Sequence, residues 1–149
     1  MIRIRVNGIP APQGSKRHVG NGRMIEMSKA VGPWRNAVRA ETQHRLEAML
    51  FAGEDYSTLR PVSVTAVFVL PRPKSHYCTG RNVHLLRDAA PPRPAGRPDL
   101  DKLLRSTLDG LTMGGAFADD SQVVDVAGSK VWASEGQAPG VIIEIEEAK

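Results

Sequence analysis

A chain of 149 residues with 41% hydrophobic and 24% charged side chains has the composition of one globular domain, and with 5% aromatics its core must be mostly aliphatic. No apolar run approaches bilayer-spanning length, which excludes a helical membrane protein, and the single cysteine, Cys78, excludes an intrachain disulfide and points to a reducing cytoplasm. The net charge of +4 favours acidic partners, of which nucleic acid is the commonest.

Ile2, Ile4 and Val6 alternate with Arg3, Arg5 and Asn7, which predicts a half-buried strand rather than the apolar core of a signal peptide. Pro10 and Pro12 end it, and Gln13 to Arg17 form a basic polar loop. Its Gly14-Ser-Lys16 lacks the order and spacing of a phosphate loop. Val19 to Ile25 suggests a small hairpin around Gly20-Asn21-Gly22. Gly32-Pro33 opens a helix with Pro where a helix start tolerates it; Trp34, Val38, Leu46, Met49 and Leu50 make its apolar stripe. Val62 to Leu70 is rich in β-branched residues and reads as a strand.

The stretch from Pro71 to Pro98 holds more than half of the prolines and has no apolar period. It reads as a long, mobile, basic loop. His76, Cys78 and His84 lie in it without the tight spacing of a zinc site, and Cys78 has no evident partner for nucleophilic chemistry. A second helix starts at Leu100. Leu100, Leu103, Leu104, Leu108 and Leu111 share one face; Asp101, Lys102, Arg105, Ser106 and Asp109 lie on the other. Gly114-Gly115 breaks the chain, and Gln122 to Trp132 and Val141 to Ile145 are two closing strands. This order predicts an α+β domain, with a mixed β-sheet and two main helices packed on it. Trp34 and Trp132 read as core or interface anchors.

Charge is distributed unevenly. Between Arg72 and Arg105 stand Arg72, Lys74, Arg81, Arg87, Arg93, Arg97, Lys102 and Arg105, opposed only by Asp88, Asp99 and Asp101. Asp99 precedes the second helix and Asp101 sits in its first turn, where the helix N-terminus stabilises anions. Asp101 and Arg105 are i and i+4 and share an edge. Asp119-Asp120 follow before the next strand, where one of the two is expected to join Asp99 and Asp101. Three carboxylates at short range favour a cation, and Mg²⁺ is the oxygen-seeking ion that keeps waters for a phosphate to displace. The same acids serve equally well as a helix cap, a first-turn acid and turn residues. Lys16, Arg17, Arg23, Arg72, Lys74, Arg93, Arg97 and Lys102 are candidate DNA contacts, and Lys130 is a weaker one.

Pro98-Asp-Leu-Asp-Lys-Leu-Leu-Arg105, Leu108-Asp-Gly-Leu-Thr and Ala116-Phe-Ala-Asp-Asp-Ser-Gln-Val-Val124 together resemble the RusA family of Holliday junction resolvases. Pro12-Gln-Gly-Ser-Lys-Arg17 and Gly22-Arg-Met-Ile-Glu26 are similar to its phage and prophage members. The resemblance implies a single nuclease domain over 1–149 and a homodimer that nicks four-way DNA junctions symmetrically with Mg²⁺, or Mn²⁺ as a substitute. It also implies a bacterial cytoplasmic protein associated with the nucleoid. It matches the family's essential carboxylates to Asp99, Asp101 and Asp120, and its functional lysine to Arg105. Arginine keeps that charge but cannot donate a proton at neutral pH, so only an electrostatic role carries over. Lys102 stands where the family often has asparagine. The alternative is a non-catalytic DNA-binding protein of the same fold; a purely structural interaction protein would leave both acidic clusters unexplained.

Overall fold

The structure, a computed structural model, describes residues 1–14, 16–18, 24–26 and 29–149, and side chains outside 15–28. Its main sheet has four strands: β1 (Ile2–Asn7), β4 (Val62–Leu70), β5 (Val123–Trp132) and β6 (Gly140–Glu147), in the order β1-β6-β4-β5. The β1/β6 and β6/β4 pairs are antiparallel and β4/β5 is parallel. The sheet is therefore mixed and, with helices α1 (Val31–Phe51) and α2 (Leu100–Met113), makes an α+β domain as predicted. A separate antiparallel pair, β2 (Lys16–His18) and β3 (Met24–Glu26), brackets the expected hairpin, whose turn lies outside the described residues.

The alternating strands bury one face. Ile2, Ile4 and Val6 lie with Val62, Val64, Ala66 and Phe68 and with Val141, Ile143 and Ile145 in one core under the helices. Val31, Trp34, Val38, Thr42 and Met49 are the buried face of α1. Leu50, expected in that stripe, is 77% exposed, because the helical period carries it one residue past Met49 and out of the face. Thr42 takes the core position instead, its hydroxyl donating to Val38 O at 2.7 Å.

The two helices touch through glycines. A Cβ on Gly110 would stand 2.7 Å from Val38 Cβ, and one on Gly114 2.6 Å from Thr42 Cβ. Gly114 is thus a contact residue as well as the break after α2. Ser106, expected on the wet face of α2, is fully buried: its Oγ lies 2.6 Å from Ala11 O and 3.0 Å from Leu103 O. Beside it the Trp34 indole donates to Thr107 Oγ1 at 3.2 Å. A buried hydroxyl on a helix facing a prolyl loop looks polar in the sequence, but satisfied partners make it a core residue.

The segment from Pro71 to Pro98 is long and basic as expected, and it carries local structure of its own. It forms two short 3₁₀ turns, Lys74–His76 and Gly80–Asn82, and a bridge between Tyr77 and Leu86. Arg72 and Trp132 both donate to Pro91 O at 3.0 Å. The Arg72 guanidinium also lies over the Trp132 ring, 5.2 Å from its centroid, and His76 meets that ring edge-on at 5.3 Å. The loop is therefore fastened to the ends of β4 and β5. The closing strands β5 and β6 do not pair with each other; β4 lies between them, because the crossover through α2 returns the chain parallel to β4.

Gly110→Ala should overpack the α1/α2 contact and lower unfolding free energy by about 1–3 kcal/mol, measured by urea denaturation. Gly96→Ala, where an added Cβ meets nothing, should leave stability near wild type.

Candidate functional site

Helix α2 carries the acids, and its position comes from contacts at both ends. At its start, Gln13 N donates to Lys102 O at 2.9 Å, which with the Ser106 hydroxyl near Ala11 O lays the N-terminal loop along the first turns. On the other side Lys130 Nζ donates to Gly96 O at 2.8 Å and Pro98 O at 2.9 Å. Lys130 was a weak candidate for phosphate contact. Its ammonium instead holds the end of the loop that delivers Asp99. Under the helix, Gly128 of β5 admits Leu104 and Leu100, whose methyls would stand 3.0 and 3.3 Å from an added Cβ.

Asp99 occupies the N-cap position with extended backbone, yet its side chain makes no capping hydrogen bond. It is half exposed and stands 3.6 Å from Lys102 Nζ. Asp99, Lys102, Arg97 and Gln13 line a cleft of about 560 Å³ between the N-terminal loop and the helix start. Asp101 and Arg105 are exposed on the adjoining face, and among the described residues neither enters an ion pair. This end of α2 therefore presents two carboxylates not used for capping, beside three cations.

At the other end, the two acids of Asp119-Asp120 divide their work. Asp119 caps a 3₁₀ turn, Asp120–Gln122, accepting from Ser121 N at 2.8 Å, and Gln122 completes a capping box. Those Ser121 hydrogen bonds hold the Asp119 carboxyl below the usual carboxylate range. Gln122 locks the turn further: its Oε1 accepts from Ala118 N and Asp119 N, and its Nε2 donates to Thr58 O and Arg60 O. The glutamine of the Asp-Asp-Ser-Gln motif is thus a clamp that sequence reasoning left without a role; its place three residues after Asp119 was the available signal. Asp120 is the acid left to face outward, in a cleft of about 270 Å³ with Asp109, Thr112, Met113, Asp119 and Arg35.

These two places are separate. Asp109 lies two turns past Asp101, roughly 12 Å along the axis at 1.5 Å per residue. Among the described residues no three Asp, Glu, His or Cys side chains stand close enough to hold one ion. Asp99 and Asp101 come together with Lys102 and Arg97; Asp120 sits apart from them in the same chain. Among the described residues, one copy alone therefore does not bring three of these side chains together. Of the basic candidates, Arg72 is engaged with Trp132 and Pro91, while Lys74 and Arg93 are exposed along the loop. Arg23 and the side chains of Lys16 and Arg17 lie outside the described residues.

Gln122→Ala removes four hydrogen bonds and should cost about 2–4 kcal/mol in chemical denaturation, at roughly 1 kcal/mol each. Asp119 titrates below its unfolded value, so its cap stabilises the fold above the usual carboxylate pKa and is lost as pH falls through the lowered one. Asp119→Ala should therefore flatten the acid limb of a melting-temperature profile, leaving a smaller difference from wild type at low pH than at neutral pH.

No helix among the described residues is long and apolar enough to cross a membrane. The chain is 27% identical over 147 residues to the uncharacterized protein YqaN of Bacillus subtilis (strain 168), covering 97% of this chain and 96% of that one. The sequence pattern of the family described as endodeoxyribonuclease RusA matches residues 7–146, which span both acidic motifs, the glycines of α2 and the closing strands. With that match over nearly its whole length, the chain belongs to the RusA family of endodeoxyribonucleases.

Proposed function

We propose that this protein is a structure-specific endodeoxyribonuclease that resolves Holliday junctions by paired symmetric nicks during DNA recombination and repair. The observation that carries the reading is Asp99: it stands at a helix start with no capping bond, beside Asp101, in a chain whose family is a nuclease family. A cap would explain the residue type; its unused side chain among cations is what a reactive site needs. Asp99, Asp101 and Asp120 are the proposed catalytic carboxylates and ligands for Mg²⁺, with Mn²⁺ a substitute; an all-oxygen donor set suits both ions. Such an ion polarises a phosphoryl oxygen and lowers the pKa of a bound water.

The chain's own residues supply binding and charge. Arg97 and Lys102 flank Asp99 and attract the phosphodiester backbone toward it. Arg105, one turn past Asp101, offers positive charge to the phosphate. Arg72, Lys74 and Arg93 on the fastened loop extend the phosphate-contacting surface, and the sequence offers Lys16, Arg17 and Arg23 as further phosphate contacts. A four-way junction is close to two-fold symmetric and must be cut twice, which calls for a homodimer. The departures at Lys102 and Arg105 from the family's asparagine and lysine favour one other reading, a DNA-binding protein without cutting activity.

A synthetic four-way junction incubated with the protein and Mg²⁺ should give nicked duplexes with ligatable ends. Asp120→Asn should slow cutting by about 100-fold or more while leaving junction binding intact. Binding without cutting by the wild type, in Mg²⁺ and in Mn²⁺, would assign the non-catalytic reading instead.

A further inference from the structure

The segment from Pro71 to Pro98 does more than carry cations: it lifts aliphatic side chains into water. Residues 76–87 form a short antiparallel finger. Arg87 N donates to His76 O and Cys78 N to Leu85 O, each at 2.8 Å, and the bridge between Tyr77 and Leu86 lies between those bonds. The Arg87 guanidinium adds a bond to Tyr77 O at 2.8 Å. The 3₁₀ turn Gly80–Asn82 makes the tip, and Gly80 takes the positive φ of 69° that starts it. Val83 N donates to Gly80 O at 3.3 Å and Leu85 N to Asn82 O at 2.8 Å, so the tip is bonded to itself. Yet Val83 is 62%, Leu85 49% and Leu86 48% exposed. One exposed aliphatic residue is ordinary, but three within four residues of a single tip mark a contact surface.

The surrounding charge selects the partner. From Pro71 to Pro98 stand Arg72, Lys74, Arg81, Arg87, Arg93 and Arg97 against Asp88 alone, and Arg81 lies in the tip itself. Nucleic acid sets negative phosphates beside apolar base faces wherever its stack is interrupted. In a duplex those faces are closed by stacking; at the branch point of a four-way junction the stack is broken by construction. Proteins that bend DNA push leucine, isoleucine or proline wedges between base steps in this way. The root of the finger also stands beside the acids. Trp132 and Lys130 are two residues apart on β5, so they project from one face of the sheet, roughly 7 Å apart. Trp132 holds Pro91, just past the finger, and Lys130 holds Gly96 and Pro98, just before Asp99. One strand thereby sets the spacing between the finger and Asp99.

We infer that this finger is a wedge for the branch point of a DNA junction: Val83, Leu85 and Leu86 pack against the bases where the stack is broken, while Arg81 meets a flanking phosphate. The inference rests on the nuclease reading for its substrate and goes beyond it by assigning the part of the chain that tells a junction from a duplex. Phosphate contacts alone cannot do so, because both DNAs carry the same backbone. An apolar wedge can, because parting an intact stack costs free energy that an open branch point does not demand.

A four-way junction of fixed sequence with 2-aminopurine beside the branch point reads the insertion directly, with Ca²⁺ replacing Mg²⁺ so that binding is seen without cutting. Saturating wild-type protein should raise the fluorescence several-fold, as the probe loses its stacking neighbour, and should leave the same probe within a linear duplex dim. The pair Leu85→Ser and Leu86→Ser should still bind the junction through its unchanged cations, but leave the probe dim and narrow the preference for junction over duplex. The pair Leu85→Met and Leu86→Met, which keeps the tip apolar, should restore the rise. Both leucines are half in water, so neither pair should move the melting temperature. A wild type that binds the junction with the probe still dim overturns the wedge, and so does a serine pair that brightens the probe fully. If that bright serine pair also turns a dimer into a monomer in light scattering, the tip is a protein contact instead. A wild type that binds neither junction nor duplex sinks the nuclease reading, and the wedge with it.

Discussion

Helix α2 is held where no side chain would fit. Gly110 and Gly114 bring it against Val38 and Thr42 of α1, and on its other flank Leu100 and Leu104 press on the bare backbone of Gly128. Contact this close fixes both the height and the rotation of the helix, since any turn about its axis would drive a Cβ into a neighbour. The rest of the molecule depends on that constraint. With Leu103 and Leu111 turned fully inward, Asp101 and Arg105 are forced outward. The Ser106 hydroxyl and Gln13 N–H then register the N-terminal loop on the first turns, and Lys130 sets the approach to Asp99 from the other side.

The acids of the two motifs thereby acquire distinct tasks. Asp119 is consumed by a capping box and Gln122 by a clamp on residues 58–60. What they achieve is presentation: a rigid turn that points Asp120 away from the core. Asp99 is the converse case, a residue in a capping position whose side chain makes no capping hydrogen bond and stands beside Lys102 instead. A half-exposed carboxylate without a capping bond, flanked by cations at a cleft mouth, is more informative than an acid count.

Much of this was legible in the sequence where one local pattern dominates. The alternation of Ile2 to Val6, the β-branched run of β4 and the leucines of α2 each gave the right element, since burial on one face writes itself as a period. Long-range partners were not legible. Nothing in Ser106 announces that Ala11 will accept its hydroxyl, and nothing in Lys130 announces two carbonyls thirty residues away in the chain. The proline-rich loop looked formless because its fastening runs through single backbone carbonyls, Pro91 above all, rather than through an apolar stripe. The acidic motifs were found by spacing. The helix between them, from Leu100 to the Gly114-Gly115 break, was legible as well; that it holds the two motifs apart was not.

That separation is the point on which form and function meet. A site split along a helix needs either a large rearrangement or a second copy to bring its carboxylates together. Paramagnetic relaxation by Mn²⁺ tests the central claim, that the acids at both ends of α2 share one ion. Added below stoichiometry to isotope-labelled protein, Mn²⁺ should bleach the amide signals of Asp99 to Lys102 and of Asp120 to Gln122 together, at the same occupancy. Bleaching of one group while the other stays sharp would contradict a shared centre.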